Sequence, residues 1–64
     1  MSFGVVLWLN HIKGYGFIRS GDKDIFFHHT NTNNFHELKD GSEVELEIVV
    51  GEKGPKAMSV KLVK

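Results

Sequence analysis

Glu43-Val44-Glu45-Leu46-Glu47-Ile48 alternates acid and aliphatic residues without a fault. Successive side chains of an extended strand point to opposite faces, so this run reads as a strand with Val44, Leu46 and Ile48 inward and the glutamates in water. No helical period longer than one turn occurs along the chain, and the other apolar runs are equally short. Phe3 to Leu9 reads as a first strand ending at Asn10, with Val6 inward and Trp8 outward although its alternation is poor. Tyr15 to Ser20 reads as a second strand and Asp24 to about His28 as a third, joined by the tight turn Gly21-Asp22-Lys23. Thr30-Asn31-Thr32-Asn33-Asn34 reads as a loop with room for one helical turn capped by Thr30 or Asn31. After the turn Gly51-Glu52-Lys53-Gly54-Pro55, a fifth strand has Met58, Val60 and Leu62 alternating with Ser59, Lys61 and Val63. Five such strands make an all-β barrel or sandwich, and a barrel removes the sheet edges that 64 residues could not otherwise protect.

Residues 1–64 are expected to form a single domain. A chain this short buries only about 60% of the surface its unfolded form exposes, so it has few aromatic rings to spare from its core. The runs Lys13-Gly14-Tyr15-Gly16-Phe17-Ile18 and Asp24-Ile25-Phe26-Phe27-His28-His29 nevertheless leave rings outside. With Ile18, Ile25 and Phe27 facing inward, Tyr15, Phe17, Phe26 and His28 share the outer face. A contiguous exposed apolar patch marks a binding site, and the flat ligand that suits it best is an unpaired nucleic-acid base. Lys13, at the head of the run, supplies a phosphate partner.

The chain has no cysteine, hence no disulfide framework and no thiolate metal site, which favours a reducing, cytoplasmic setting. Met1-Ser2-Phe3-Gly4 lacks the features of a secretion signal, and no segment approaches the roughly 20 apolar residues that span a bilayer. Eight basic and eight acidic residues cancel. Six of the eight acids (Glu37, Asp40, Glu43, Glu45, Glu47, Glu52) fall in the C-terminal half, whereas all four histidines precede Glu37. The region that carries the rings therefore gains positive charge as pH falls through about 6.5.

The two aromatic runs, with Gly4, Trp8-Leu9-Asn10 before them and Gly54-Pro55 after, resemble the bacterial cold-shock domain family and its two ribonucleoprotein motifs. The resemblance extends from Gly4 to about Val60 in the family's order and spacing. It implies a five-stranded antiparallel OB-fold barrel that binds single-stranded RNA and DNA with little sequence preference, melts weak RNA structure and acts as an RNA chaperone without ATP. It further implies base stacking by Trp8, Tyr15, Phe17, Phe26, His28 and Phe35, a weaker stacking role for His29 where the family usually has phenylalanine, and backbone contacts from Lys13 and Lys53. Leu7 stands where the family commonly has lysine and Leu9 where it has phenylalanine, and the loop before Phe35 is about two residues short. A monomer is expected, with no cofactor, membrane or small-molecule substrate, and effects on transcription, translation or the response to stress.

Other readings are weaker. An RNA-recognition motif shares the Lys-Gly-aromatic-Gly-Phe signature but needs amphipathic helices that this chain lacks. Metal binding by His28 and His29 is disfavoured because neighbours on a strand point apart and no cysteine helps. A histidine-based ribonuclease would need histidines in mutual reach, which nothing in the sequence provides. A small barrel that docks peptides on the same aromatic face is the remaining alternative, and His11 and His36 read as solvated loop residues.

Overall fold

The computed structural model describes residues 2–63. Its strands are β1 (Ser2–Asn10), β2 (Tyr15–Ser20), β3 (Lys23–His28), β4 (Glu43–Gly51) and β5 (Gly54–Leu62), which close into a barrel in the order β1-β2-β3-β5-β4. Neighbouring strands run antiparallel except where β3 meets β5, a parallel contact made through one ladder pair, Phe26 with Lys56. Two single 3-10 turns, His29–Asn31 and Phe35–Glu37, fill the connection between β3 and β4. Among the described residues no helix is long and apolar enough to cross a membrane.

The core comprises Val6, Ile18, Ile25, Phe27, Leu38, Val44, Leu46, Ala57 and Val60, with Leu9, Phe35 and Leu62 packed against it. Ile18, Ile25 and Phe27 are therefore inward, as alternation predicts for β2 and β3. Each fully buried aliphatic or aromatic side chain contributes about 1.5–3 kcal/mol of transfer free energy, enough in sum to fix which face of each strand turns in.

Glycine sets the spacing between β1 and β2. A Cβ on Gly16 would lie 2.6 Å from the Trp8 carbonyl oxygen and 2.7 Å from Leu9 Cβ, and one on Gly4 would lie 2.6 Å from Ile18 Cγ2. Only a residue without a side chain lets the two strands approach this closely.

The inward assignment of Ile48 is corrected, and β5 departs from simple alternation. Ile48 is 38% exposed although it pairs with the buried Ala57, since among the described residues β1 pairs with β4 only as far as Leu46. Met58 is likewise on the outside at 36%, and Ala57 takes the inward place. The cause is a bulge: Glu45 pairs with Lys61 and Glu47 with Met58, so β5 spends two residues, Ser59 and Val60, opposite Leu46. Ser59 adopts φ 52°, and the extra residue reverses the in–out phase of β5 between Ala57 and Val60.

Candidate nucleic-acid interface

A second bulge decides the outer face. Val6 pairs with Ile18 and Trp8 with Phe17, so Leu7 is an extra residue in β1. In a regular strand, with Leu7 paired like its neighbours, Val6 and Trp8 would share a face. With the bulge, Val6 is 1% exposed while Trp8 is 41% exposed beside the rings of β2. Leu7 itself is exposed and Leu9 packs on the core.

On β2 and β3 the register pairs Tyr15 with His28, Phe17 with Phe26 and Arg19 with Asp24, all on the outer side. Ring centroids are 5.5 Å apart for Trp8 and Tyr15, 5.4 Å for Trp8 and Phe17, 5.8 Å for Phe17 and Phe26, and 6.0 Å for Tyr15 and Phe26. The four rings thus form a closed circuit on the barrel surface, with Tyr15, Phe17 and Phe26 half-buried against one another. None belongs to the core.

Lys53 lies in the β4–β5 turn and lines a depression of about 740 Å³ together with Phe17, Asp24, Phe26, Pro55 and Lys56. Lys56, the ladder partner of Phe26, was not singled out in the sequence; its signal was only its nearness to Gly54-Pro55. Arg19 was also missed. Its Nε donates to Asp24 Oδ1 at 2.6 Å, and that hydrogen bond, then the Asp24 charge, raises the guanidinium further above its already high range. The positive charge on this part of the face is therefore tied to a carboxylate.

A second group of rings sits beyond Tyr15. His29 does not continue β3 but opens a 3-10 turn, so its ring lies 4.3 Å from that of His28 rather than on the opposite face. The turn is capped by His28, not by Thr30 or Asn31: His28 Nδ1 accepts from the Thr30 N–H, and the His28 N–H donates to Asn31 Oδ1 at 2.9 Å. The His29 N–H donates to the Gly14 carbonyl at 2.8 Å, and a Cβ on Gly14 would meet the His29 ring at 2.5 Å. Gly14, at φ +77°, thereby gives the imidazole its seat.

Phe35 is half-buried, 5.8 Å from Phe27, 6.2 Å from His29 and 5.3 Å from His11. His11 is consequently not a plain solvated residue, since its ring packs on Phe35 and its Nε2 donates to the Leu38 carbonyl at 3.2 Å. Lys13 is exposed in the β1–β2 turn, where Asn10 Oδ1 accepts from the Ile12 and Lys13 N–H groups at 2.9 and 3.0 Å. Among the described residues no group of three or more histidines or acids is arranged to hold a metal ion.

The acids of β4 are segregated from this surface, whereas Asp24 and Glu52 line the Lys53 depression. Glu43, Glu45 and Glu47 lie on β4, which pairs with β1 and β5 but with neither β2 nor β3. Lys13 lies at one end of the ring-bearing strands, and Lys53 and Lys56 lie at the other beside Asp24 and Glu52.

A closed five-stranded OB-type barrel that displays aromatic rings on three consecutive strands defines a class of nucleic-acid-binding folds. The chain belongs to the cold-shock domain family: the model of the "Cold-shock" DNA-binding domain matches residues 2–63. It is similar to cold shock protein CspB of Geobacillus stearothermophilus, 46% identical over 63 residues, covering 94% of this chain and 96% of that protein. It is also similar to cold shock-like protein CspE of Escherichia coli, 48% identical over 61 residues that cover 89% and 88% of the two chains. Among solved structures, drosophila Unr CSD456 superposes with a TM-score of 0.80 at 26% identity, over 98% of this chain and 26% of that longer one. Cold-shock domains are non-enzymatic binders of single-stranded nucleic acid, and this chain is a nucleic-acid-binding protein of that family.

Proposed function

We propose that the chain is a single-domain, monomeric, ATP-independent RNA chaperone of the cytoplasm that holds single-stranded RNA or DNA by stacking bases on its outer rings, with little sequence preference. The observation that carries this reading is the closed circuit of Trp8, Tyr15, Phe17 and Phe26, an aromatic surface that a chain of 64 residues leaves in contact with water. Stacking of one base on one ring contributes about 1–3 kcal/mol, so three or four such contacts support micromolar binding after the strand has been ordered. His28, His29 and Phe35 extend the stacking surface, and Lys13 and Lys53 contact the backbone. Every base has a flat face, which is why the recognition tolerates sequence.

Melting of RNA follows from the same preference. A protein that binds only splayed bases draws a hairpin toward its open form by mass action, with weak hairpins yielding and strong ones not. Titrating Trp8 fluorescence with a short pyrimidine oligonucleotide at two salt concentrations tests the reading. Strong quenching is expected; an indole that ignores the oligonucleotide overturns it.

A further inference from the structure

A separate depression of about 330 Å³ lies between the β1–β2 turn and Phe35, lined by His11, Lys13, Gly14, His29, Phe35 and His36 together with Ile12. Three of the chain's four histidines thus meet one lysine around one hollow, and His28 stacks behind His29. No carboxylate is among the lining residues. Among the described residues, Glu37, 3.8 Å from His36 Nε2, is the only acid within ion-pairing distance of a histidine.

We propose that this hollow is a phosphodiester subsite whose charge is supplied largely by histidine, so that the hold on single-stranded nucleic acid tightens as pH falls from 8 to 6. The inference rests on the stacking function proposed above and adds to it a second, electrostatic grip. His11 and His29 are held by neutral partners. The His11 Nε2–H is committed to the Leu38 carbonyl, which leaves Nδ1 to take a second proton. His29 is seated on Gly14 with no acid beside it, and His36 is open to water with Glu37 as neighbour. His28 has its Nδ1 lone pair engaged by Thr30, so its proton sits on Nε2. Histidine is the side chain that serves as a charge switch between pH 5 and 8, so a hollow lined by three of them changes its charge in that interval. An imidazolium N–H donated to a phosphate oxygen is a charge-assisted hydrogen bond, and the neutral ring offers no such attraction.

The test is the affinity for a thymidine heptanucleotide, read by Trp8 quenching at pH 6, 7 and 8 and at two salt concentrations. Thymine itself does not titrate in this interval. About tenfold tighter binding at pH 6 is expected, with the slope of log affinity against log salt steeper by about 0.7 for each phosphate gained. The triple substitution His11→Gln, His29→Phe, His36→Gln should flatten the profile, and Phe17→Ala should weaken binding at every pH while keeping the pH ratio. If the triple variant does not fold, His11→Gln and His36→Gln alone should each reduce the ratio. A flat wild-type profile with quenching intact, or a ratio that survives loss of these histidines, overturns the subsite and leaves the stacking function standing. Absence of quenching at all pH values overturns the stacking function instead.

Discussion

The ring of Trp8 lies 5.4 Å from that of Phe17 on the outside of the barrel, although Val6, only two residues earlier in the same strand, is fully enclosed. One additional residue, Leu7, separates the two fates. A display surface and a packed interior are thus specified within three consecutive positions of β1.

Deleting Leu7 should make Val6 and Trp8 consecutive, so that plain alternation keeps Val6 inside and Trp8 outside, opposite Phe17. Oligonucleotide-dependent quenching should therefore survive the deletion, as it should survive Leu7→Ala. Loss of quenching on deletion of Leu7 would contradict the register.

Phe17 and Ile18 are neighbours with opposite duties. Phe17→Ala is expected to weaken oligonucleotide binding by about 1–3 kcal/mol with little change in stability. Ile18→Ala should destabilise by about 2–5 kcal/mol as the truncation of a buried aliphatic. Unfolding by urea and fluorescence titration on the same two variants separate the effects, and unfolding of the Phe17 variant would reassign that ring to the core.

The bulge at Ser59 and the early end of β1–β4 pairing can be checked by three truncations. Leu46→Ala should cost about 2–5 kcal/mol. Ile48→Ala and Met58→Ala, each over a third exposed, should cost clearly less, although Met58→Ala also gives up the hydrogen bond that Asn31 Nδ2 donates to Met58 Sδ at 3.2 Å. Equal losses at all three positions would contradict the register.

At pH 8, contacts to two or three phosphates should give a slope of log affinity against log salt of about −1.4 to −2.1 for a single strand. A slope steeper than about −4 would mean that charge rather than stacking dominates. Asp24→Asn releases Arg19 beside Phe17 and removes an acid from the Lys53 depression. Tighter binding is expected, with a slope more negative by about 0.7 if Arg19 takes up one phosphate.

Much of this architecture was legible in the residues. The span of β2, its hairpin with β3 and the inward set Ile18, Ile25 and Phe27 follow from alternation alone, because both strands are regular along their whole length. Val44 and Leu46 follow for the same reason. Alternation fails where the backbone inserts a residue: Met58 and Val60 alternate alike in the sequence yet face opposite ways, because the bulge at Ser59 leaves no mark in a pattern of single letters. Ile48 stays 38% exposed opposite the buried Ala57 because burial depends on what lies on both sides of a strand, and the described pairing of β1 with β4 ends at Leu46. The packing of His11 on Phe35 and of His29 beside His28 depends on contacts made by a turn and a 3-10 segment, which carry no periodicity to read.

The meeting of β3 and β5 through Phe26 and Lys56 gives the cylinder a narrow seam, and that seam runs under the rings and beside the Lys53 turn. A strand of RNA lying across Phe26 and Lys56 would act as a staple over the thinnest part of the wall. Occupancy should then be felt in the backbone as slowed amide exchange along β5, so that the guest reinforces a closure its host already has.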